Sequence, residues 1–98
     1  MKRTLIIYSQ WNFARYAFNT ACKNLKEGDA ASHRNLTIKN ESDITVYACY
    51  TNEKDFCQKY LRGWIWNEIN DYAKLPYDVW KISQSRLLER RKNEYPII

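Results

Sequence analysis

Apolar residues change their spacing several times along this chain, and each change marks an element. Thr4 to Tyr8 is apolar nearly throughout and rich in strand-forming residues. That predicts a strand buried on both faces. Ser9, Gln10 and Asn12 then supply polar caps. From Phe13 the apolar positions fall at Ala14, Ala17, Phe18, Ala21, Cys22 and Leu25. This is the i, i+3, i+4 stripe of an amphipathic helix, and Gly28 follows where a left-handed stop is expected.

Residues 29–34 are polar and read as a loop. Leu36 and Ile38 alternate with polar neighbours, as do Ile44, Val46, Ala48 and Tyr50, with Asn40-Glu41-Ser42 between them. The pattern predicts a hairpin of Asn35–Lys39 against Asp43–Tyr50.

The stretch from Glu53 to Tyr72 carries two signals. Phe56, Cys57, Tyr60, Leu61, Trp64, Ile65, Ile69 and Tyr72 form a helical stripe. Trp64-Ile65-Trp66 also has β character, and Gly63 stands where a break before a strand would fall. The length of the periodic run favours the helix. Pro76 ends this stretch. Val79, Trp80, Ile82, Leu87 and Leu88 mark a final helix that also carries Lys81, Arg86, Arg90, Arg91 and Lys92. The predicted order is strand, helix, strand, strand, helix, helix. It corresponds to one α/β or α+β domain over residues 1–98, with helices packed on a three- to four-stranded sheet.

Composition adds two features. The chain of 98 residues has 16 Lys and Arg against 11 Asp and Glu, a net charge of +5. That balance suits an anionic partner. It also has four Trp, eight Tyr and three Phe, more rings than a core of this size needs, so some are expected at the surface as contacts. The three cysteines, Cys22, Cys49 and Cys57, show no regular spacing and read as free thiols in a reducing compartment. The apolar run near Met1 is too short for a signal-peptide core, and no run approaches the roughly 20 residues of a membrane span. A cytoplasmic location without membrane association is expected.

Several chemistries have little support. The turn after the first strand, Ser9-Gln10-Trp11-Asn12, has neither Gly nor Lys, whereas a phosphate-cradling loop needs both. The two glycines lie elsewhere, so independent nucleotide binding is not expected. One His and three scattered Cys lack the spacing of a zinc site, so neither metal nor cofactor is expected. A Cys–His nucleophile would need Cys49 or Cys57 beside His33, which sits in a polar loop. Glu68 and Asp71 would share a face of a helix, where exposed carboxylates are ordinarily solvated. Glu68, Asp71, Cys49 and His33 are the candidates for an enzyme, and a non-catalytic protein is the expectation.

The positive signal is the mixture of cations with rings. Lys59, Arg62, Trp64 and Trp66 cluster, and Trp80, Lys81, Arg86, Arg90, Arg91 and Lys92 follow. Lys and Arg neutralise phosphates while Trp and Tyr stack on bases. Trp64 and Trp80 fall on apolar stripes and are expected in the core. Trp11 and Trp66 are the rings least accounted for by a core. The candidate binding residues are therefore Trp11, Arg62, Trp66, Lys81, Arg86, Arg90, Arg91 and Lys92.

Short segments resemble part of the ATPase domain of phage large terminases and related helicase-like P-loop proteins. Leu5-Ile6-Ile7-Tyr8-Ser9-Gln10 with Phe13-Ala14-Arg15 resembles a strand and the Gln-Ala-Arg helix of that family. Thr37-Ile38-Lys39-Asn40 with Asp43-Ile44-Thr45-Val46-Tyr47 resembles its hairpin, whose turn is usually Asn-Gly. Leu61-Arg62-Gly63 resembles its Leu-Arg-Gly. Ile69-Asn70-Asp71-Tyr72-Ala73-Lys74-Leu75-Pro76, then Asp78-Val79-Trp80, resembles its Walker B strand and the segment beyond. The pieces together span most of residues 4–92. No segment matches the Walker A loop, and the acidic pair reads Asn70-Asp71. The resemblance implies a relative without ATP chemistry, a strand over Trp64–Asn70, a phage or prophage origin and a role near DNA.

The leading expectation is a small basic accessory protein that binds nucleic acid through a Lys/Arg and Trp/Tyr surface. The alternative is a protein-interaction module that inhibits or modulates a host enzyme or defence complex, as anti-CRISPR proteins do. In that case the exposed rings would be interface anchors. The surplus of rings is compatible with a homodimer.

Overall fold

The computed structural model describes residues 1–88. Strand β1 (Lys2–Tyr8) leads into helix α1 (Trp11–Cys22), followed by β2 (Ala30–Ser32), β3 (Thr37–Lys39) and β4 (Asp43–Cys49). A short helix α2 (Glu53–Phe56) runs directly into a π-helix (Cys57–Leu61), and β5 (Glu68–Asp71) and α3 (Tyr77–Ser85) complete the order. The five strands lie as β2-β3-β4-β1-β5. β1 pairs in parallel with both β4 and β5, and β3 pairs antiparallel with β2 and β4. Among the described residues no helix is long and apolar enough to cross a membrane.

Parallel register puts matched residues on one face, which explains the core. Leu5 stands opposite Val46 and Ile69, and Ile7 opposite Ala48. This floor packs against Phe56, Tyr60, Leu61, Leu75 and Val79 from the second half of the chain. On the other face Ala14 and Phe18 of α1 pack with Leu36, beside Tyr8, Ala31, Ile38 and Tyr47. Phe18 is fully buried, and truncating such a ring to Ala costs about 3–5 kcal/mol.

The first strand, the first helix and the hairpin are observed where the pattern places them. Asn40 forms the hairpin turn: its Oδ1 accepts from the amides of Ser42 (2.9 Å) and Asp43 (2.7 Å). Other expectations change. The loop over 29–34 contains β2, because Ala31 pairs with Ile38 and extends the hairpin. The helix α1 stops at Cys22, six residues before Gly28. Gly28 instead takes φ +91° in the turn before β2. β1 is fully buried on one face only: Leu5 and Ile7 are enclosed, while Ile6 and Tyr8 keep some exposure.

The 53–72 stretch divides rather than forming one helix. Helical hydrogen bonding ends where the Arg62 amide donates to the Cys57 carbonyl (2.8 Å). Gly63 then adopts φ +76°, a conformation that side chains with a Cβ rarely take. The chain re-enters the sheet as β5, with Ile69 completing the apolar floor. The sheet thus has five strands rather than three or four. The final helix ends at Ser85, and Leu87 forms a parallel bridge with Trp66 instead of a further helical turn.

Candidate functional site

Trp66 is 2% exposed, which corrects the expectation of a surface ring. Its indole N–H donates to the Tyr60 carbonyl (2.9 Å), while its backbone pairs with Arg86 and Leu88 (2.8 Å each). Trp64, expected in the core, is 42% exposed. It stacks between Trp66 (centroids 5.9 Å apart) and the Arg3 guanidinium (5.1 Å). The exchange follows from the break at Gly63, since alternation rather than a helical stripe decides burial in the approach to β5. Trp80 is half-buried against the core.

Among the described residues the predicted cations and rings are distributed over separate places. Arg62 is exposed at the end of the π-helix and Arg86 is half-buried after α3. Both line a groove of about 430 Å³, together with Lys54, Glu53 and Gln58. Lys81 is exposed on α3 but does not line this groove. Trp11 is exposed at the start of α1, with the Lys59 ammonium 5.6 Å from its ring centre. Arg90, Arg91 and Lys92 lie outside the described residues.

The enzyme candidates have other occupations. Glu68 and Asp71 are strand residues three apart and so point to opposite faces. Glu68 pairs with Lys2 (3.3 Å). Asp71 accepts from the amides of Ala73 (2.9 Å) and Leu75 (3.1 Å), holding the turn after β5. Burial pushes the thiols of Cys49 and Cys57 up from their ordinary value, with Glu53 adding to the shift at Cys57. Both therefore stay as weakly nucleophilic thiols near neutrality. His33 meets Phe18 edge-on (5.1 Å). Among the described residues no group of three or more His, Cys, Asp or Glu could hold a metal ion.

A feature the sequence reading did not single out is a groove of about 680 Å³ on the α1 face of the sheet. α1 packs over β1 and β4, and its flank supplies Phe13, Tyr16 and Thr20. Ile6, Tyr8, Tyr47 and Tyr72 also line it. Phe13 is 53%, Tyr16 76% and Tyr72 65% exposed. No Lys, Arg, Asp or Glu lines this groove among the described residues. Burial raises the phenol pKa of Tyr8 and of Tyr47, with smaller contributions from Tyr72 at Tyr8 and from Tyr8 and Cys22 at Tyr47. At neutral pH the groove is thus uncharged, with hydroxyls available at its tyrosines. Phe13, Tyr16 and Thr20 at i, i+3 and i+7 form a second helical stripe beside the core stripe, and that spacing was the available signal.

No protein family, curated protein or solved structure matches this chain.

Proposed function

We propose that the chain is a protein-binding module whose aromatic groove receives an uncharged, apolar segment of a partner protein. This is the inhibitor or modulator reading, with a host enzyme or defence complex as the kind of partner. One observation carries it: Phe13, Tyr16 and Tyr72 expose large rings around a groove with no ionisable Lys, Arg, Asp or Glu in its described lining. Tyr and Phe supply much contact area at little conformational cost and are enriched at interface centres, where charged residues are depleted. A nucleic-acid surface calls for the reverse, with cations interleaved among the rings.

Affinity capture from nuclease-treated lysate tests the reading, with the wild type and a Tyr16→Ser/Tyr72→Ser variant run in parallel. The expected outcome is one stoichiometric protein retained by the wild type and lost with the variant. Identical captures by both proteins would remove the groove from the account.

The nucleic-acid reading keeps a specific observation of its own. Arg62 and Arg86 share one groove with Lys54, and Trp11 stays exposed beside Lys59. A gel-shift series across salt tests it, because phosphate contacts strengthen as salt falls. Absence of a shift at low salt excludes it.

A further inference from the structure

The second groove lies on the opposite side of the sheet, between α2, the π-helix and α3. Its cations converge for local reasons. Lys54 sits on α2. Arg62 ends the π-helix just before Gly63 turns the chain away. Arg86 follows Ile82 by four residues, so both face the same side of α3's end. Lys54, Arg62 and Arg86 stand against the single carboxylate of Glu53 in the lining, three positive charges to one negative.

Among the described residues these cations have no ion-pair partner. Arg86 is half-buried, and its Nε is sealed from solvent with no acceptor in reach among those residues. A partly desolvated guanidinium without an anion is unfavourable. Leu61 and Ile82 add apolar walls, which lower the local dielectric and strengthen any ion pair formed there.

We propose that this groove binds a small phosphate-bearing ligand through Lys54, Arg62 and Arg86. Two guanidinium forks and an ammonium present more donors than the two oxygens of one carboxylate accept, whereas a phosphate offers further oxygens to each of them. The groove has no aromatic ring in its described lining, so a nucleic-acid strand would gain backbone contacts but no base stacking there. The site stands apart from the aromatic groove, and the proposal does not rest on protein binding.

The test is a titration of the full chain with inorganic phosphate, followed by amide NMR at ionic strength matched with chloride. A sugar phosphate and a short oligothymidylate form separate arms. The expected result is saturable shifts at Gln58, Arg62 and Arg86, weakened about tenfold or more by Arg62→Gln. Stronger binding of the sugar phosphate than of phosphate would identify a phosphorylated small molecule as the source, and equal binding would identify the free ion. Arg62 is exposed, so its variant keeps the test independent of folding, whereas Arg86→Gln touches a half-buried group. Shifts that fail to saturate, or that Arg62→Gln leaves unchanged, would overturn the proposal. So would oligothymidylate binding in the absence of phosphate binding.

Discussion

Tyr8 and Tyr72 stack with ring centroids 5.4 Å apart and planes 22° from parallel. The pair ties the end of β1 to the residue after β5. The Tyr72 amide reinforces it by donating to the Ile7 carbonyl (2.9 Å). Tyr72 nonetheless leaves most of its surface to solvent. A ring anchored on one face and open on the other is ready to bind without a large ordering cost.

Removing the exposed rings is therefore expected to separate stability from binding. Tyr16→Ser should change unfolding free energy by no more than about 0.5 kcal/mol, as for other surface positions. Tyr72→Ser should cost about 1 kcal/mol through the lost stack. Urea unfolding of both variants checks this, and an unfolded Tyr16→Ser would show that the ring supports the fold.

Trp66 is expected to behave as a core residue. Trp66→Ala should cost about 3–5 kcal/mol. Trp66→Phe should be milder, at about 1–3 kcal/mol, because it leaves the Tyr60 carbonyl without its indole donor. Thermal unfolding followed by circular dichroism measures both. A neutral Trp66→Ala would contradict the buried placement.

Asp71 is expected to contribute through the two amide hydrogen bonds its carboxylate accepts rather than through proton transfer. Asp71→Asn retains one acceptor oxygen and should lose about 1–2 kcal/mol. The measurement is the denaturant midpoint, with the slope unchanged if the loss is local.

Tyr8 and Tyr47 give the molecule a pH dependence at its alkaline end. Their phenol pKa values are raised above 10.0 in the folded chain, chiefly by burial. The folded state thus holds these protons more tightly than the unfolded state. Stability from this source is complete below pH 10.0 and declines as pH rises through the folded values. Unfolding midpoints between pH 8 and 11 should fall at the alkaline end, and Tyr47→Phe should flatten the fall. A midpoint that rises with pH in this range would contradict the assignment.

Local patterns made β1, α1 and the hairpin legible, because each shows one periodicity over its whole length. The 53–72 stretch was not legible in the same way. A helical stripe continues in sequence through Gly63, but Ile69 pairs with Leu5 and the Trp66 backbone pairs with Arg86 and Leu88, distant partners that periodicity does not contain. The burial of Trp66 and exposure of Trp64 follow from that one break. For the candidate sites, Arg62 and Arg86 were visible as cations, while their meeting in one groove depends on how the π-helix and α3 pack. The aromatic groove needed Tyr8, Tyr47 and Tyr72 from three strands or their ends, brought together by sheet order alone. Only its helical edge, Phe13 and Tyr16, left a trace in the spacing.

The central claim is that the uncharged aromatic groove binds a protein. Its most direct test is calorimetric titration of the captured partner into the wild type and into the Tyr16→Ser/Tyr72→Ser variant. The account predicts that affinity falls about 100-fold or more in the variant, as for loss of two interface anchors, while the variant remains folded. Equal affinity for both proteins would contradict it.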